Sequence, residues 1–281
     1  MIQIDMTDKV VLITGGTRGI GLATALAFGR AGARTYLTYK WGSHDFAPLY
    51  GSFEEVKGPR PVLIQADASV EEDTKNLLDR IKEKEDVVDY FINNVGVAPR
   101  TMDLQEYKKR SFFKTLEYSA WPLIDYTRKI KEVFGKYPGS VVGISSSGPD
   151  RFYPGYDFVA ASKALLELFA KYLSFYLLRE GGRINIIRFG PVRTESFSLI
   201  FGDEFFRYLK EKNISEEMLI SLEECGKAVF AVCSGLLDAM NGQIITVDRG
   251  MSFQDNLMMR YFDWKSEKSG SKEKTKNSAV P

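Results

Sequence analysis

The first run of the chain whose residue types and spacing bear on chemistry is Thr14-Gly15-Gly16-Thr17-Arg18-Gly19-Ile20-Gly21. It follows a short apolar stretch and leads into a segment of helical periodicity. Glycines at 15, 19 and 21 let the chain turn tightly and bring backbone close to a pyrophosphate at a helix N-terminus, where unpaired N–H groups favour negative charge. Glycine spacing alone is weak; at the first strand-to-helix turn of an alternating chain it points to a dinucleotide site. The end of the second strand then selects between nicotinamide dinucleotides, because a carboxylate there bonds ribose hydroxyls and repels a 2′-phosphate. Here the strand ends Leu37-Thr38-Tyr39-Lys40, with no acid at its tip. Arg18 and Lys40 together offer charge-assisted hydrogen bonds to a phosphate. NADPH is favoured over NADH, against the alternative that Lys40 is merely solvated.

These residues need a scaffold, and the hydrophobic pattern supplies one. Apolar runs at 9–14, 34–38, 61–65, 87–93, 140–145, 183–188 and 242–247 read as seven strands. Helical periodicity fills the intervals, for example 19–29, 71–84 and 157–179. Near-continuous apolar strands alternating with amphipathic helices predict an α/β fold, a Rossmann-like doubly wound parallel sheet in a three-layer αβα arrangement. No Pro/Gly/Ser-rich linker interrupts the rhythm, so residues 1–263 are expected to form one domain. Residues 264–281 (WKSEKSGSKEKTKNSAVP) carry too few apolar groups to offset ordering entropy and are expected to be a flexible polar tail.

Composition narrows the function classes. With 38 Lys and Arg against 37 Asp and Glu, no global field attracts nucleic acid or membrane. Cys225 and Cys233 form no metal or redox pattern, and their predicted role is packing. His44 is the sole histidine and is expected to be exposed in a loop, so a histidine-based triad is unavailable and no metal site is expected. The N-terminus lacks the charged-then-apolar pattern of a secretory signal, and no run of about 18 apolar residues exists to span a bilayer. A cytoplasmic enzyme is expected.

The spacing of the glycine loop resembles that of the short-chain dehydrogenase/reductase family, and further segments follow in the family's order over residues 8–252. Asp67 in Gln65-Ala66-Asp67-Ala68-Ser69 sits where the family's aspartate contacts adenine. Asn93-Asn94-Val95-Gly96 is similar to its NNAG segment, and Ser145–Ser147 close the fifth strand where its catalytic serine lies. Lys163 stands in Ala161-Ser162-Lys163-Ala164, Gly190-Pro191-Val192-Arg193-Thr194 follows the sixth strand, and Val247-Asp248-Arg249-Gly250 resembles VDGG. The resemblance implies a cofactor site built from Gly15, Thr17, Arg18, Gly19, Ile20, Gly21, Lys40, Asp67, Ala68, Asn94, Val95, Gly96, Lys163, Gly190, Pro191, Val192 and Thr194.

One departure separates this chain from the common ketone and alcohol enzymes. Four residues before the lysine, where they carry tyrosine, stands Val159; Tyr156 lies seven before it. Four residues rotate a helix by about 400° and seven by about 700°, so both return close to the lysine's face, one turn apart or roughly 5 Å. Tyr-x6-Lys resembles the enoyl-acyl carrier protein reductases, and the shift suits their chemistry. Carbonyl reduction places hydride on the carbon bearing the oxygen. Enoyl thioester reduction places it on the β-carbon while charge develops on an oxygen two carbons away, and the donor must follow that oxygen. Gly148-Pro149-Asp150-Arg151-Phe152-Tyr153-Pro154 and Gly-Pro-Val-Arg-Thr are also similar to enoyl reductase segments, and Ser119 takes the place of the family's asparagine. The unaltered glycine loop with Tyr-x6-Lys most resembles the third bacterial type, which uses NADPH.

The resemblance implies that Tyr156 stabilises the enolate, that Lys163 holds the nicotinamide ribose, and that Ser146 lines the site. Tyr153 is a rival donor about 80° off the lysine's face. Phe197, Phe201, Phe205 and Phe206 fall where the family keeps its substrate-covering loop, and either wall an acyl channel or pack into the core. Arg193, Arg207, Lys210 and Lys212 suit an acidic carrier protein or pantetheine phosphate, or are solvated. The expected substrate is an acyl thioester on acyl carrier protein or coenzyme A, and the implied assembly a homotetramer or dimer. An atypical carbonyl (3-ketoacyl) reductase and a non-catalytic NADP-binding scaffold remain alternatives.

Overall fold

The computed structural model describes residues 4–41, 45–202, 204–212, 214–254, 258, 261 and 265. His44 and, apart from Lys265, the expected polar tail lie outside the described residues. Seven strands alternate with helices: β1 (Val10–Ile13), α1 (Gly19–Arg30), β2 (Arg34–Tyr39), α2 (Ala47–Glu55), β3 (Val62–Gln65), α3 (Glu71–Lys82) and β4 (Tyr90–Asn93) form the first half. The second half contains α4 (Lys109–Ser119), α5 (Trp121–Phe134), β5 (Ser140–Ser146), α6 (Asp157–Leu178), β6 (Arg183–Phe189), α7 (Glu195–Phe201), α8 (Glu204–Glu211), α9 (Leu222–Cys233), β7 (Ile244–Val247) and α10 (Met251–Gln254).

The strands form one parallel sheet in the order β3-β2-β1-β4-β5-β6-β7. Period-two alternation sends neighbouring side chains to opposite faces. Phe91 joins Leu123, Tyr126 and Leu166 in one core beneath α3, α5 and α6. Ile92 joins Phe28, Ile187 and Val229 in the other, beneath α1 and α9. Phe91 stacks on Tyr126 with centroids 5.3 Å apart. The expected doubly wound, three-layer architecture is present.

Boundaries differ where polar side chains take over the strand ends. β4 starts at Tyr90, and at its N-terminal end the Asp89 carboxylate accepts from the Val10 N–H of β1 at 2.9 Å. β7 starts at Ile244, because the Gln243 N–H is taken by the Asn185 side chain at 3.0 Å. Pro122, which has no N–H and cannot sit in a helix interior, divides α4 from α5 just after Ser119. Strand order reverses between β1 and β4, so a crevice opens at their carboxyl ends, where the glycine loop and Asn94 lie.

Candidate active site

The glycine loop is held from beneath by two side chains. The Asn94 amide donates to the carbonyls of Thr14 and Gly15, each at 3.0 Å, and the Thr14 hydroxyl accepts from the N–H groups of Asn94 and Val95. The loop folds onto the first turn of α1 so tightly that a Cβ on Gly21 would lie 2.3 Å from the Gly15 carbonyl oxygen. Arg18, the residue before α1, is extended (φ −156°, ψ 170°) and its side chain does not cap the helix. The first N–H groups of α1 have no intrahelical acceptors and can receive an anion at the cleft. A Cβ on Gly19 would meet nothing closer than 3.9 Å, so backbone lies open to a bound group there.

Gly15, Arg18, Gly19, Ile20, Asn94, Val95 and Gly96 line one side of a cleft of about 1120 Å³, and Gly190, Val192 and Thr194 line another. Ser146, Tyr156 and Lys163 line it as well. The structure therefore brings most of the sequence-predicted residues into one crevice. Gly21 packs within the loop instead, and Thr17 lines a smaller neighbouring hollow with Trp41 and Phe46. The remaining predicted positions, Lys40, Asp67, Ala68 and Pro191, do not line the cleft.

Lys40 and Asp67 are paired with each other, and the Tyr118 hydroxyl joins them, donating to Asp67 at 3.0 Å and bonding the Lys40 ammonium. Burial pushes the Asp67 carboxyl up, but the Lys40, Ser69 and Tyr118 hydrogen bonds outweigh it and hold the group below its usual range. Lys40 also sits 4.1 Å from the Trp41 ring centroid. Sequence reasoning missed Tyr118, because nothing in α4 marks it as a partner of residues 51 and 78 positions away. Arg18 pairs with Glu195 at 2.5 Å, both side chains being largely exposed.

Around the proposed reaction centre, Tyr156 precedes α6 rather than lying within it, and its carbonyl accepts the first helical bond, from Ala160 at 2.8 Å. Its hydroxyl donates to Ser146 at 3.0 Å. Burial pushes the phenol above its ordinary range, with the Ser146 bond opposing, so it stays protonated. Lys163 is buried on α6 and donates to the Ile144 carbonyl at 2.7 Å. Desolvation draws its ammonium down to about 8, against the opposing charge of Glu167. Ser119 lies beside it: a Cβ on Gly96 would be 3.4 Å from Ser119 Oγ and 3.6 Å from Lys163 Nζ.

Tyr153 donates to or accepts from Ser147 at 2.8 Å and stands edge-on to Tyr156, with centroids 5.9 Å apart. Phe201 stacks on Tyr156 at 6.1 Å and joins Phe197 at 4.8 Å, and both line the cleft. Phe205 and Phe206 pack behind Phe197 rather than lining it. Of the four rings, two wall the cleft and two support them. Arg193 lies 4.4 Å from the Phe206 ring and pairs with Glu216.

The arrangement offers a nucleotide-sized cradle, a neutral phenol, a buried cation and an apolar wall. Residues 15–252 match the family model described as Enoyl-(Acyl carrier protein) reductase. The enoyl-[acyl-carrier-protein] reductase [NADH] FabI of Aquifex aeolicus is 29% identical over 262 residues, covering 87% of this chain and 92% of the relative. A chloroplastic NADPH-dependent aldehyde reductase-like protein of Arabidopsis thaliana is 27% identical over 266 residues, covering 88% and 95%. The fold is similar to that of a short chain dehydrogenase from Burkholderia cenocepacia solved with NADP, with a TM-score of 0.75 at 24% identity, covering 88% and 99%.

Proposed function

The chain belongs to the enoyl-(acyl carrier protein) reductase family of short-chain dehydrogenase/reductases, nicotinamide-dependent oxidoreductases, and from that premise we propose that it reduces the carbon–carbon double bond of a trans-2-enoyl thioester. The observation that carries the reading is Tyr156, a protonated phenol at the cleft, seven residues from Lys163, with a valine where carbonyl reductases of the family keep tyrosine. When bound, the nicotinamide supplies hydride to the β-carbon.

The chain's residues do the rest. Gly19 and the first turn of α1 would hold the pyrophosphate by backbone N–H groups, while the Gly15 N–H is engaged by the Thr38 hydroxyl at 3.1 Å. Lys163 bonds the nicotinamide ribose, and its charge lowers the energy of negative charge nearby. The Tyr156 hydroxyl turns from Ser146 to the thioester carbonyl oxygen and donates to it as the enolate forms. A donor aimed at the developing oxyanion, rather than at the ground-state carbonyl, is what lowers the barrier. Phe197 and Phe201 exclude water and receive the acyl chain.

NADPH is the preferred cofactor in this reading, although the Aquifex relative's name specifies NADH. The Arg18–Glu195 pair is exposed, and such pairs contribute about 0–1 kcal/mol, so a 2′-phosphate dianion outcompetes Glu195 for the guanidinium. Lys40 does not line the cleft and is paired with Asp67 and Tyr118, so in this reading it contributes only by leaving that pair for the phosphate. We further propose a single domain over residues 1–263 and a homo-oligomer. Tyr172, Phe175 and Tyr176 are exposed at one-turn spacing on α6, an apolar face of the kind subunits bury.

The test follows NADPH oxidation with a trans-2-enoyl thioester and a 3-keto thioester in parallel. Turnover of the enoyl substrate, reduced about 10²–10³-fold in Tyr156→Phe, is expected for loss of one oxyanion donor. Turnover of the keto substrate alone contradicts the assignment.

A further inference from the structure

Behind the reaction centre lies a buried ionic cluster that the proposed chemistry does not use. Glu167, one turn beyond Lys163 on α6, is 4% exposed. Its two carboxylate oxygens accept from Nε and Nη2 of Arg188, each at 2.6 Å, a forked geometry that fixes direction as well as distance. The Ser145 hydroxyl donates to the same carboxylate at 2.6 Å. Ser145 and Arg188 are direct partners across the β5–β6 ladder. On β6, Ile184 and Ile186 enter the core beneath α6, and Arg188 continues that face where another apolar side chain is the ordinary choice.

The third nitrogen of Arg188 reaches outward. Nη1 pairs with Asp150, whose side chain is 63% exposed and lies in the short 3₁₀ turn Gly148–Asp150. That turn backs the Tyr156 ring. Gly148 approaches the phenol so closely that a Cβ there would lie 2.6 Å from Tyr156 Cε1. The Gly148 N–H also donates to Ser146, the residue that accepts from the Tyr156 hydroxyl. A chain of contacts therefore runs from the Glu167–Arg188 fork through Asp150 and Gly148 to the ring and hydroxyl of Tyr156.

We propose that Arg188, anchored by Glu167 and extended through Asp150, is a positioning residue that fixes the 148–150 turn and thereby the phenol of Tyr156. The cluster places a mostly buried arginine and a buried carboxylate at one end of the sheet, where two apolar side chains would hold the fold as well. Its one outward arm ends on the segment carrying the oxyanion donor. The kinetic part of this inference rests on the role given to Tyr156 above; the structural part does not.

Asp150→Asn is the informative variant, because it leaves the buried fork intact and releases only the turn. Amide exchange over residues 148–156, followed by mass spectrometry on the full chain, is expected to quicken by about tenfold or more, with other segments unchanged. On whichever thioester the wild type turns over, kcat is expected to fall about tenfold, since small misplacements of a reacting group carry large rate effects. KM and cofactor affinity should stay within about twofold in the same reading. Asp150→Glu should recover most of the rate. In a Tyr156→Phe background, Asp150→Asn should cause no further loss, because its effect passes through the absent hydroxyl. Unchanged exchange over 148–156 would overturn the proposal, as would an equal rate loss in both backgrounds. Failure of the enoyl assignment shows instead in the wild type, as turnover of the keto substrate or none, and leaves the exchange result to decide this inference.

Discussion

Replacing Lys163 by methionine is expected to abolish turnover and, at the same time, to stabilise the fold. The side chain is buried, bonded to the Ile144 carbonyl at 2.7 Å, and desolvation draws its ammonium from 10.5 to about 8. At about 1.36 kcal/mol per pH unit, the buried charge disfavours the folded state by about 3 kcal/mol. Below pH 8 both folded and unfolded chains carry the proton, and the full cost stands. Between pH 8 and 10.5 the unfolded chain binds more protons, so stability rises with pH, and above 10.5 the cost is gone. Methionine keeps the apolar stem and removes the charge. Subtracting about 1 kcal/mol for the lost hydrogen bond leaves a gain of about 2 kcal/mol at pH 7, shrinking below about 1 kcal/mol by pH 9.5. Urea denaturation of both proteins without added nucleotide reads this directly. For a slope of about 3 kcal/mol/M, the midpoint should rise by about 0.7 M at pH 7 and much less at pH 9.5. A variant midpoint below wild type at pH 7, or a difference independent of pH, would refute the desolvation reasoning.

The same lysine should give kcat/KM a basic limb near pH 8, as the ammonium loses its proton, readable from a pH–rate profile. Gly21→Ala forces a Cβ to within 2.3 Å of the Gly15 carbonyl oxygen, so the loop must open. Cofactor affinity by fluorescence titration should fall by about 10–100-fold, a loss of about 1.4–2.8 kcal/mol. Arg18→Ala combined with Lys40→Ala should weaken NADPH at least about tenfold while moving NADH less than about threefold, in the same titration. Ser221 heads α9 in a capping box with Glu224, and Ser221→Ala should remove about 1 kcal/mol of stability, a fall in Tm of about 2–4 °C.

How much of this was legible in the sequence depends on how local each feature is. The strand and helix pattern is a short-range property, and α1, α3 and α6 lie within two residues of their expected bounds. The glycine loop was legible for the same reason, since its purpose is set by the few residues around it. Partners brought together by topology were not. Of the twin asparagines, Asn94 clamps the loop, whereas Asn93 is buried with neither side-chain atom hydrogen-bonded among the described residues. Nothing in the pair Asn93-Asn94 distinguishes them. Ser145 and Ser146 likewise look alike in sequence, yet strand alternation turns one to Glu167 and leaves the other for Tyr156. The sequence leaves Lys40 either to a phosphate or to solvent, and its engagement with Asp67 and Tyr118 emerges only when three elements are placed together. Arg188 was read only as the end of a strand; its mispatterned charge on an apolar face was the available signal.

The central claim is that hydride reaches the β-carbon while Tyr156 holds the enolate oxygen, and the position of an isotopic label tests it most directly. The wild-type enzyme would be given NADPH deuterated at the transferable position, with a trans-2-enoyl thioester in ordinary water, and the product examined by NMR. Deuterium on the β-carbon with a solvent proton on the α-carbon, formed more slowly by Tyr156→Phe, is the predicted result. Deuterium on a carbinol carbon, obtained only when a 3-keto thioester replaces the enoyl substrate, would contradict it.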